Sequence, residues 1–389
     1  MNHPKRRIAL LGSSGSIGQK TLKVAERFSD RLEVTALAVN QSVDFLVEAA
    51  KKFNVPRVAC GDTSKVAEVQ EALGPSVEVY GGADAMEMLA AHDDVDIVVN
   101  GIVGSAGLRA SLSAAASGKT LALANKESLV LAGELLMAEA SKHGATVLPV
   151  DSEHSGLFQA LEGITLDHVS RLIITASGGP FRGKKRHELE NVVPAEALNH
   201  PIWPMGRRIT VDSSTLFNKG LEVIETYHLF KIPAERIEVW VHPQSVIHGV
   251  VETNDGSMLA QMAAPDMLLP VQYSLSYPER WDCDIRPADL PNWKQLEFFD
   301  VDHETFPCLG LAYDALKSGG IMPTALNGAD EIAVEAFLRE ELPYLGIADV
   351  LQVVLGQIKN RPADSLSAVL EADREARQLA LAAVKVHAS

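Results

Sequence analysis

Three cysteines in 389 residues, Cys60, Cys283 and Cys308, lie too far apart to form a disulfide framework. They fit a reducing compartment, and the chain is expected in the cytoplasm. No run approaches the roughly 18 apolar residues needed to span a bilayer. The apolar stretch 8–11 behind the basic residues 1–7 stops at Gly12, too short for a signal-peptide core. Membrane and secreted classes are therefore not expected. Positive charge is in deficit, with 35 Lys and Arg against 51 Asp and Glu, a formal net charge of -16. Such a chain repels a polyanion, which argues against nucleic acid as a partner. A small anion stays possible because charges are screened over about 8 Å. Internal repeats and low-complexity tracts are absent as well. At 47 % apolar and 22 % charged, the composition is that of an ordered protein long enough for two or three domains.

From residue 7 to 150, short β-rich runs alternate with amphipathic ones, which predicts parallel strands joined by helices. Strands are expected at 8–11, 34–39, 57–59, 97–100, 120–122 and 146–150, forming a doubly wound sheet. The stretch 151–277 holds further strand-like runs at 171–176, 208–211 and 237–241. Between them, 178–206 carries four prolines, four glycines and the basic cluster Arg182, Lys184, Lys185 and Arg186. It reads as a mobile lid or, equally, as a solvated surface loop. Residues 278–305 read as an extended connection. Helical spacing at 306–317, 328–338, 347–358 and 366–386 predicts a small bundle. The expected class is α/β, with domains at 1–150, 151–277 and 306–389.

Directly after the first strand comes Gly12-Ser13-Ser14-Gly15-Ser16-Ile17-Gly18, then a helix from about residue 19. Glycines let the backbone approach a pyrophosphate, and the helix start offers amide N–H groups and partial positive charge. The three serines add hydroxyl donors. An acid after the second strand would favour NADH, and a basic residue NADPH. This chain has Asn40-Gln41-Ser42, and these residues leave the choice of cofactor open.

A strand ending near Val150 would deliver Asp151-Ser152-Glu153 where open α/β sheets place ligands. In extended chain the two acids point the same way. Asp212-Ser213-Ser214-Thr215 looks like a helix start, and Asn218 and Glu222 then share a helical face beside Lys219. Three carboxylates without a cysteine set favour Mg2+ or Mn2+ over zinc. Glu225 competes as a ligand, and each acid taken alone also reads as a capping or surface residue. Ser177-Gly178-Gly179, Ser213, Asn218 and Lys219 suit a phosphate dianion. His200-Pro201-Ile202-Trp203-Pro204-Met205-Gly206 supplies apolar bulk that a water-excluding lid needs. His200, His242 and His248 also read as structural histidines.

These runs, together with Ala124-Asn125-Lys126-Glu127-Ser128 and His242-Pro243-Gln244-Ser245-Val246-Ile247-His248, follow one another in an order that resembles the 1-deoxy-D-xylulose 5-phosphate reductoisomerase family from about residue 6 to 358. The resemblance implies a Rossmann-like N-terminal sheet, a central catalytic α/β domain and a C-terminal helical bundle. It also implies a cytoplasmic homodimer that isomerises a sugar phosphate and then reduces it with NADPH and Mg2+, Mn2+ or Co2+. By the same resemblance Asp151, Glu153 and Glu222 hold the metal, with Ser152 and Lys126 beside the substrate hydroxyls. Ser177, Ser213, Asn218 and Lys219 would bind the phosphate, and His200 and Trp203 would close the lid at 178–206. Ser14, Gly15, Ser16, Ile17, Asn40, Gln41, Ser42, Asn125, Glu127, Met205 and Gly206 would line the cofactor. The chain departs from the family pattern at Asn40-Gln41-Ser42, at Gly156 and at Asn327-Gly328-Ala329-Asp330-Glu331, the last read as a junction with the helical unit. Two rivals remain: a Rossmann dehydrogenase of another metabolite, which would lack the full acid and phosphate sets, and a nucleotide sensor, which would need none of Lys126, Asp151, Glu153 and Glu222.

Overall fold

A computed structural model describes residues 4–82, 84–203 and 205–387. Along the chain the strands are β1 (Arg6–Leu11), β2 (Leu32–Val39), β3 (Arg57–Cys60), β4 (Glu78–Gly81), β5 (Ile97–Asn100), β6 (Thr120–Leu123), β7 (Thr146–Pro149), β8 (Val169–Ala176), β9 (Ile237–Val241), β10 (Ile247–Thr253) and β11 (Met258–Met262). The helices are α1 (Ser16–Arg27), α2 (Val43–Phe53), α3 (Val66–Leu73), α4 (Ala85–Ala91), α5 (Leu108–Ala116), α6 (Glu127–His143), α7 (Ser152–Ala160), α8 (Pro194–Ala197), α9 (Arg207–Ser214), α10 (Phe217–Phe230), α11 (Leu268–Ser276), α12 (Leu290–Trp293), α13 (Cys308–Ser318), α14 (Met322–Leu338), α15 (Gly346–Gln357) and α16 (Leu366–His387). By internal contacts the chain forms two units. The first holds the described residues up to 128 with 134–155 and 266–285, and the second holds 129–133, 156–265 and 286 onward.

The first unit is built on seven parallel strands in the order β4-β3-β2-β1-β5-β6-β7. Its central strands are buried on both faces, which is why they read as unbroken apolar runs rather than alternating ones. The order reverses between β1 and β5, and the crevice beyond their carboxyl ends is where such sheets take ligands. On α1, Gly18, Thr21, Leu22 and Ala25 are buried at helical spacing. Helix α11 joins this unit, placing Leu268, Val271 and Leu275 in one core with Leu22, Leu46 and Val99.

The second unit has a four-stranded sheet, β11-β10-β8-β9, parallel only between β8 and β9. Helices α13 to α16 pack as the expected bundle, with α14 buried along most of its length.

Three local expectations are corrected. The run 208–211 is β-branched and reads as a strand, but it lies inside α9, which starts at its N-cap Gly206. Tertiary context overrides weak propensity here: Arg208 is tied to α14 through Asn327, Asp330 and Glu331. Asp212-Ser213-Ser214 consequently closes α9 rather than opening α10, which begins behind a left-handed Leu216. Asp151 and Glu153 are not in extended chain either, because α7 starts at Ser152 and Ser155 N–H already bonds the Asp151 carbonyl at 2.8 Å. The strands β4, β10 and β11 were not anticipated.

Candidate active site

In the first unit the loop after β1 turns at Gly12, whose φ is +78° and where an added Cβ would lie 2.6 Å from the Gly101 carbonyl oxygen. The turn itself demands glycine. Ser13 is buried and donates to the Ala38 carbonyl at 2.9 Å, so the donor role expected of it is corrected. Ser14, Gly15, Ser16 and Ile17 are the accessible part of the loop. Gly15 caps α1 without a side-chain hydrogen bond, leaving first-turn amides for an anion. Asn40, Gln41 and Ser42 are exposed past the end of β2.

Asn125 and Glu127 are buried and hold the backbone that follows β5. The Asn125 amide donates to the carbonyls of Ile102 (2.7 Å) and Gly104 (2.9 Å), and Glu127 Oε1 accepts the Gly104 N–H at 3.1 Å. Lys126 between them is also buried, its ammonium ion-paired with Asp151. Ser152 donates its N–H to Asp151 Oδ1 at 3.0 Å and its hydroxyl to Glu153 Oε2 at 2.5 Å. Lys126, Asp151, Ser152 and Glu153 thus form one polar cluster just past the ends of β6 and β7.

In the second unit Ser177 follows β8. An added Cβ on Gly179 would lie 2.8 Å from the Ser213 carbonyl oxygen, so the Ser177 turn rests directly on the end of α9. His200 Nδ1 accepts the N–H groups of Ile202 (3.2 Å) and Trp203 (2.9 Å), which leaves the proton on Nε2 to be donated to Ser177 Oγ at 2.9 Å. Burial first, and the Lys219 ammonium second, push the His200 pKa down to about 4. His200 is therefore a neutral hydrogen-bond donor at physiological pH. On α10, Glu222 is buried and takes Asn218 Nδ2 at 2.5 Å and Lys219 Nζ at 2.7 Å. Asn218 and Lys219 gather on Glu222 within α10, while His200 bonds Ser177 and feels the Lys219 ammonium, and the Ser177 turn rests on Ser213 of α9. Trp203 and Met205 are half-buried ahead of α9, while Pro204 lies outside the described residues.

Glu225, the competing ligand, is fully buried on α10. His242 stacks on Phe298 at 4.8 Å and bonds the Glu297 carbonyl at 2.9 Å, which makes it a packing residue. His248 is buried in β10. Two features escaped the sequence reading. One is Arg208, knotted into α14. The other is Lys65, which lines a cleft with Gln41 and Ser42; it comes from the turn after a neighbouring strand, so no spacing within the β2 loop announces it.

The donors fit what the resemblance asks of them. The carboxylates offer only oxygen, which suits a hard divalent cation, and the start of α1 offers amide N–H groups to an anion. A switch-point cradle combined with a lysine, serines and buried carboxylates defines a nucleotide-dependent oxidoreductase acting on a phosphorylated substrate. Residues 8–133 match the family model of 1-deoxy-D-xylulose 5-phosphate reductoisomerase, 147–230 that of the 1-deoxy-D-xylulose 5-phosphate reductoisomerase C-terminal domain, and 262–379 that of the DXP reductoisomerase C-terminal domain. The chain belongs to the 1-deoxy-D-xylulose 5-phosphate reductoisomerase family, whose reaction serves non-mevalonate isoprenoid biosynthesis.

The reductoisomerase of Thermodesulfovibrio yellowstonii is 47 % identical over 375 residues, covering 96 % of this chain and 98 % of the relative. The solved reductoisomerase of Zymomonas mobilis in complex with NADPH is 45 % identical, with a TM-score of 0.93 over 98 % of this chain and 100 % of that one. A DOX-P reductoisomerase in complex with NADPH, fosmidomycin and magnesium is 38 % identical, with a TM-score of 0.92 over 98 % of both chains. The expected fold class and enzyme class hold. Among the described residues no helix is long and apolar enough to cross a membrane, and all three cysteines are free thiols.

Proposed function

We propose that this chain converts 1-deoxy-D-xylulose 5-phosphate to 2-C-methyl-D-erythritol 4-phosphate with NADPH and a divalent metal, through the residues that the resemblance singles out. The supporting observation is that each acid cluster carries its own buried lysine, Lys126 on Asp151 and Lys219 on Glu222. Buried charges are costly unless paired, so groups of this kind are built to meet charged ligands.

Asp151, Glu153 and Glu222 are the metal ligands in this reading. When bound, the metal supplies Lewis acidity to the ketone and adjoining hydroxyl of the substrate. Lys126 adds positive charge where negative charge develops as the carbon skeleton rearranges, and Ser152 bonds a substrate hydroxyl. Ser177, Ser213, Asn218 and Lys219 hold the phosphate, keeping the reacting carbons in register with binding energy remote from the chemistry. His200, neutral and already donating to Ser177, closes with Trp203 as part of the lid 178–206 and excludes water.

Ser14, Gly15, Ser16, Ile17, Asn40, Gln41 and Ser42 bind the adenosine and pyrophosphate of NADPH in domain 1–150. Asn125 and Glu127 set the loop that borders it, and Met205 and Gly206 lie against the nicotinamide. The catalytic domain in this reading is 151–277, although its helix α11 packs in the first unit, and it is linked through 278–305 to the helical domain 306–389. The protein is a cytoplasmic homodimer in this reading; the edge strand β11, with Met258 and Leu259 exposed, offers a surface for a second copy. Absorbance of NADPH followed with 1-deoxy-D-xylulose 5-phosphate, with Mg2+ or with EDTA, tests the reaction. Oxidation that requires both substrate and metal is expected, and folded protein that oxidises nothing would overturn the assignment.

A further inference from the structure

The run Asn40-Gln41-Ser42 lacks the basic residue that usually meets the 2′-phosphate of NADPH. We propose that Lys65, reaching over from the turn after the adjacent strand β3, recognises the adenosine 2′-phosphate and sets the preference for NADPH over NADH. This rests on the cofactor assignment above.

Strands β2 and β3 run in parallel with Val39 opposite Cys60. Beyond their ends the two loops are laced together, Gly61 N–H donating to the Val39 carbonyl at 2.9 Å and Asp62 N–H to the Asn40 carbonyl at 3.0 Å. Asp62 then caps a single tight turn, Thr63–Lys65, by accepting the Ser64 N–H (3.0 Å) and hydroxyl (2.6 Å). The turn delivers Lys65 to a cleft of about 390 Å³ that Gln41, Ser42, Asp44 and Glu68 also line.

Lys65 Nζ sits 3.1 Å from Glu68, in a pair whose side chains are 43 % and 55 % exposed. The hydrogen bond that the ammonium donates to Glu68 raises the Lys65 pKa, so it stays charged at any working pH. An exposed pair one helical turn apart is weak, and a phosphate dianion in the cleft competes well for the cation. Ser42 makes no side-chain cap to α2, so its hydroxyl can join Gln41 as a neutral donor. The opposing feature is Asp44, an acid that could accept from the free 2′-hydroxyl of NADH. Lys65 and Asp44 therefore favour opposite cofactors.

Calorimetric titration of the full-length protein with NADPH, NADH, 2′,5′-ADP and 5′-AMP decides between them. Lys65→Gln is expected to weaken NADPH and 2′,5′-ADP by about tenfold or more, the usual loss when a hydrogen bond to a charged group goes. It should leave NADH and 5′-AMP unchanged, while Lys65→Arg keeps the preference. The NADPH affinity of the wild type should also fall with added salt more steeply than that of Lys65→Gln. Wild-type NADPH affinity in Lys65→Gln, or equal losses for NADPH and NADH, would overturn the role of Lys65 while leaving the cofactor assignment intact. A wild type that prefers NADH overturns the role too, in favour of Asp44. A wild type that binds neither dinucleotide overturns the cofactor assignment and this inference with it.

Discussion

Replacing Arg208 with methionine should destabilise the second unit by more than any change at its surface. The Arg208 side chain is 19 % exposed. It donates to Glu331 Oε1 at 2.9 Å, Asn327 Oδ1 at 3.1 Å and Asp330 Oδ2 at 3.3 Å, and lies 3.6 Å from Asp212. Asp330 is fully buried, and burial first and Asp212 second hold its carboxyl well above the usual range, with Arg208 pulling the other way. Methionine keeps much of the stem volume, so the loss is chiefly electrostatic. Removing one partner of a buried pair costs about 3–5 kcal/mol. At about 2–4 °C per kcal/mol for a unit of this size, the melting point should drop by roughly 6–20 °C. Scanning calorimetry at neutral pH measures it. The folded pKa of Asp330 lies above its unfolded value, so the folded state holds the proton more tightly, and this contribution is present in acid and lost as pH rises through the folded pKa. The penalty of Arg208→Met should therefore shrink toward acid pH. Asp330→Asn added to Arg208→Met should recover most of the loss at neutral pH. A melting point within about 2 °C of wild type, less than about 1 kcal/mol, or no recovery in the double variant, would refute the reasoning.

Glu222→Gln should lower turnover by at least about 10²-fold, the scale of losing preorganised charge stabilisation, and should weaken Mg2+ binding in titrations; wild-type activity would remove it from the ligand set. Trp203→Ala should raise KM for the sugar phosphate while leaving the NADPH Kd nearly unchanged, and an equal loss of NADPH affinity would count against a lid at this residue. His228 is pushed down from 6.5 to about 4 by burial. It therefore contributes stability that is complete above its unfolded pKa and lost as pH falls toward 4. Melting curves between pH 7.5 and 5 should fall more steeply for wild type than for His228→Gln, and parallel curves would exclude the histidine as the cause.

The seven-strand sheet was legible except for β4, because strands buried on both faces announce themselves as apolar runs between helical patterns. Strand β4 failed because Glu78-Val79-Tyr80-Gly81 is a short edge with exposed ends. In the second unit α9 read as a strand because Ile209-Thr210-Val211 is β-branched; what makes it helical is the grip of Arg208 on α14, more than a hundred residues away. The site was legible as residue types and as a family pattern, and its local chemistry was not. That His200 is a neutral donor follows from its burial beside Lys219 and from the two N–H groups on Nδ1. Lys65 was invisible for a related reason: the loop it serves follows a different strand.

The pairing of Lys219 with Glu222 links the phosphate pocket proposed for the second unit to one of the three carboxylates proposed to hold the metal. Lys219 Nζ lies 2.7 Å from Glu222 Oε2 with both groups buried, so without ligands each charge satisfies the other. A cation taken up by Glu222 weakens its bond to Lys219 and makes the ammonium more available to an anion. An anion taken up by Lys219 equally makes Glu222 more available to the cation. Such coupling is reciprocal by thermodynamic necessity and is commonly worth about 1–3 kcal/mol. Titration of Mg2+ with and without saturating inorganic phosphate should therefore show tighter metal binding in the presence of the anion, by about five- to 150-fold over that range. Lys219→Met should abolish the difference. Metal affinity indifferent to phosphate in the wild type would mean that the Lys219–Glu222 bond persists when the ligands bind, and that the two sites are filled independently.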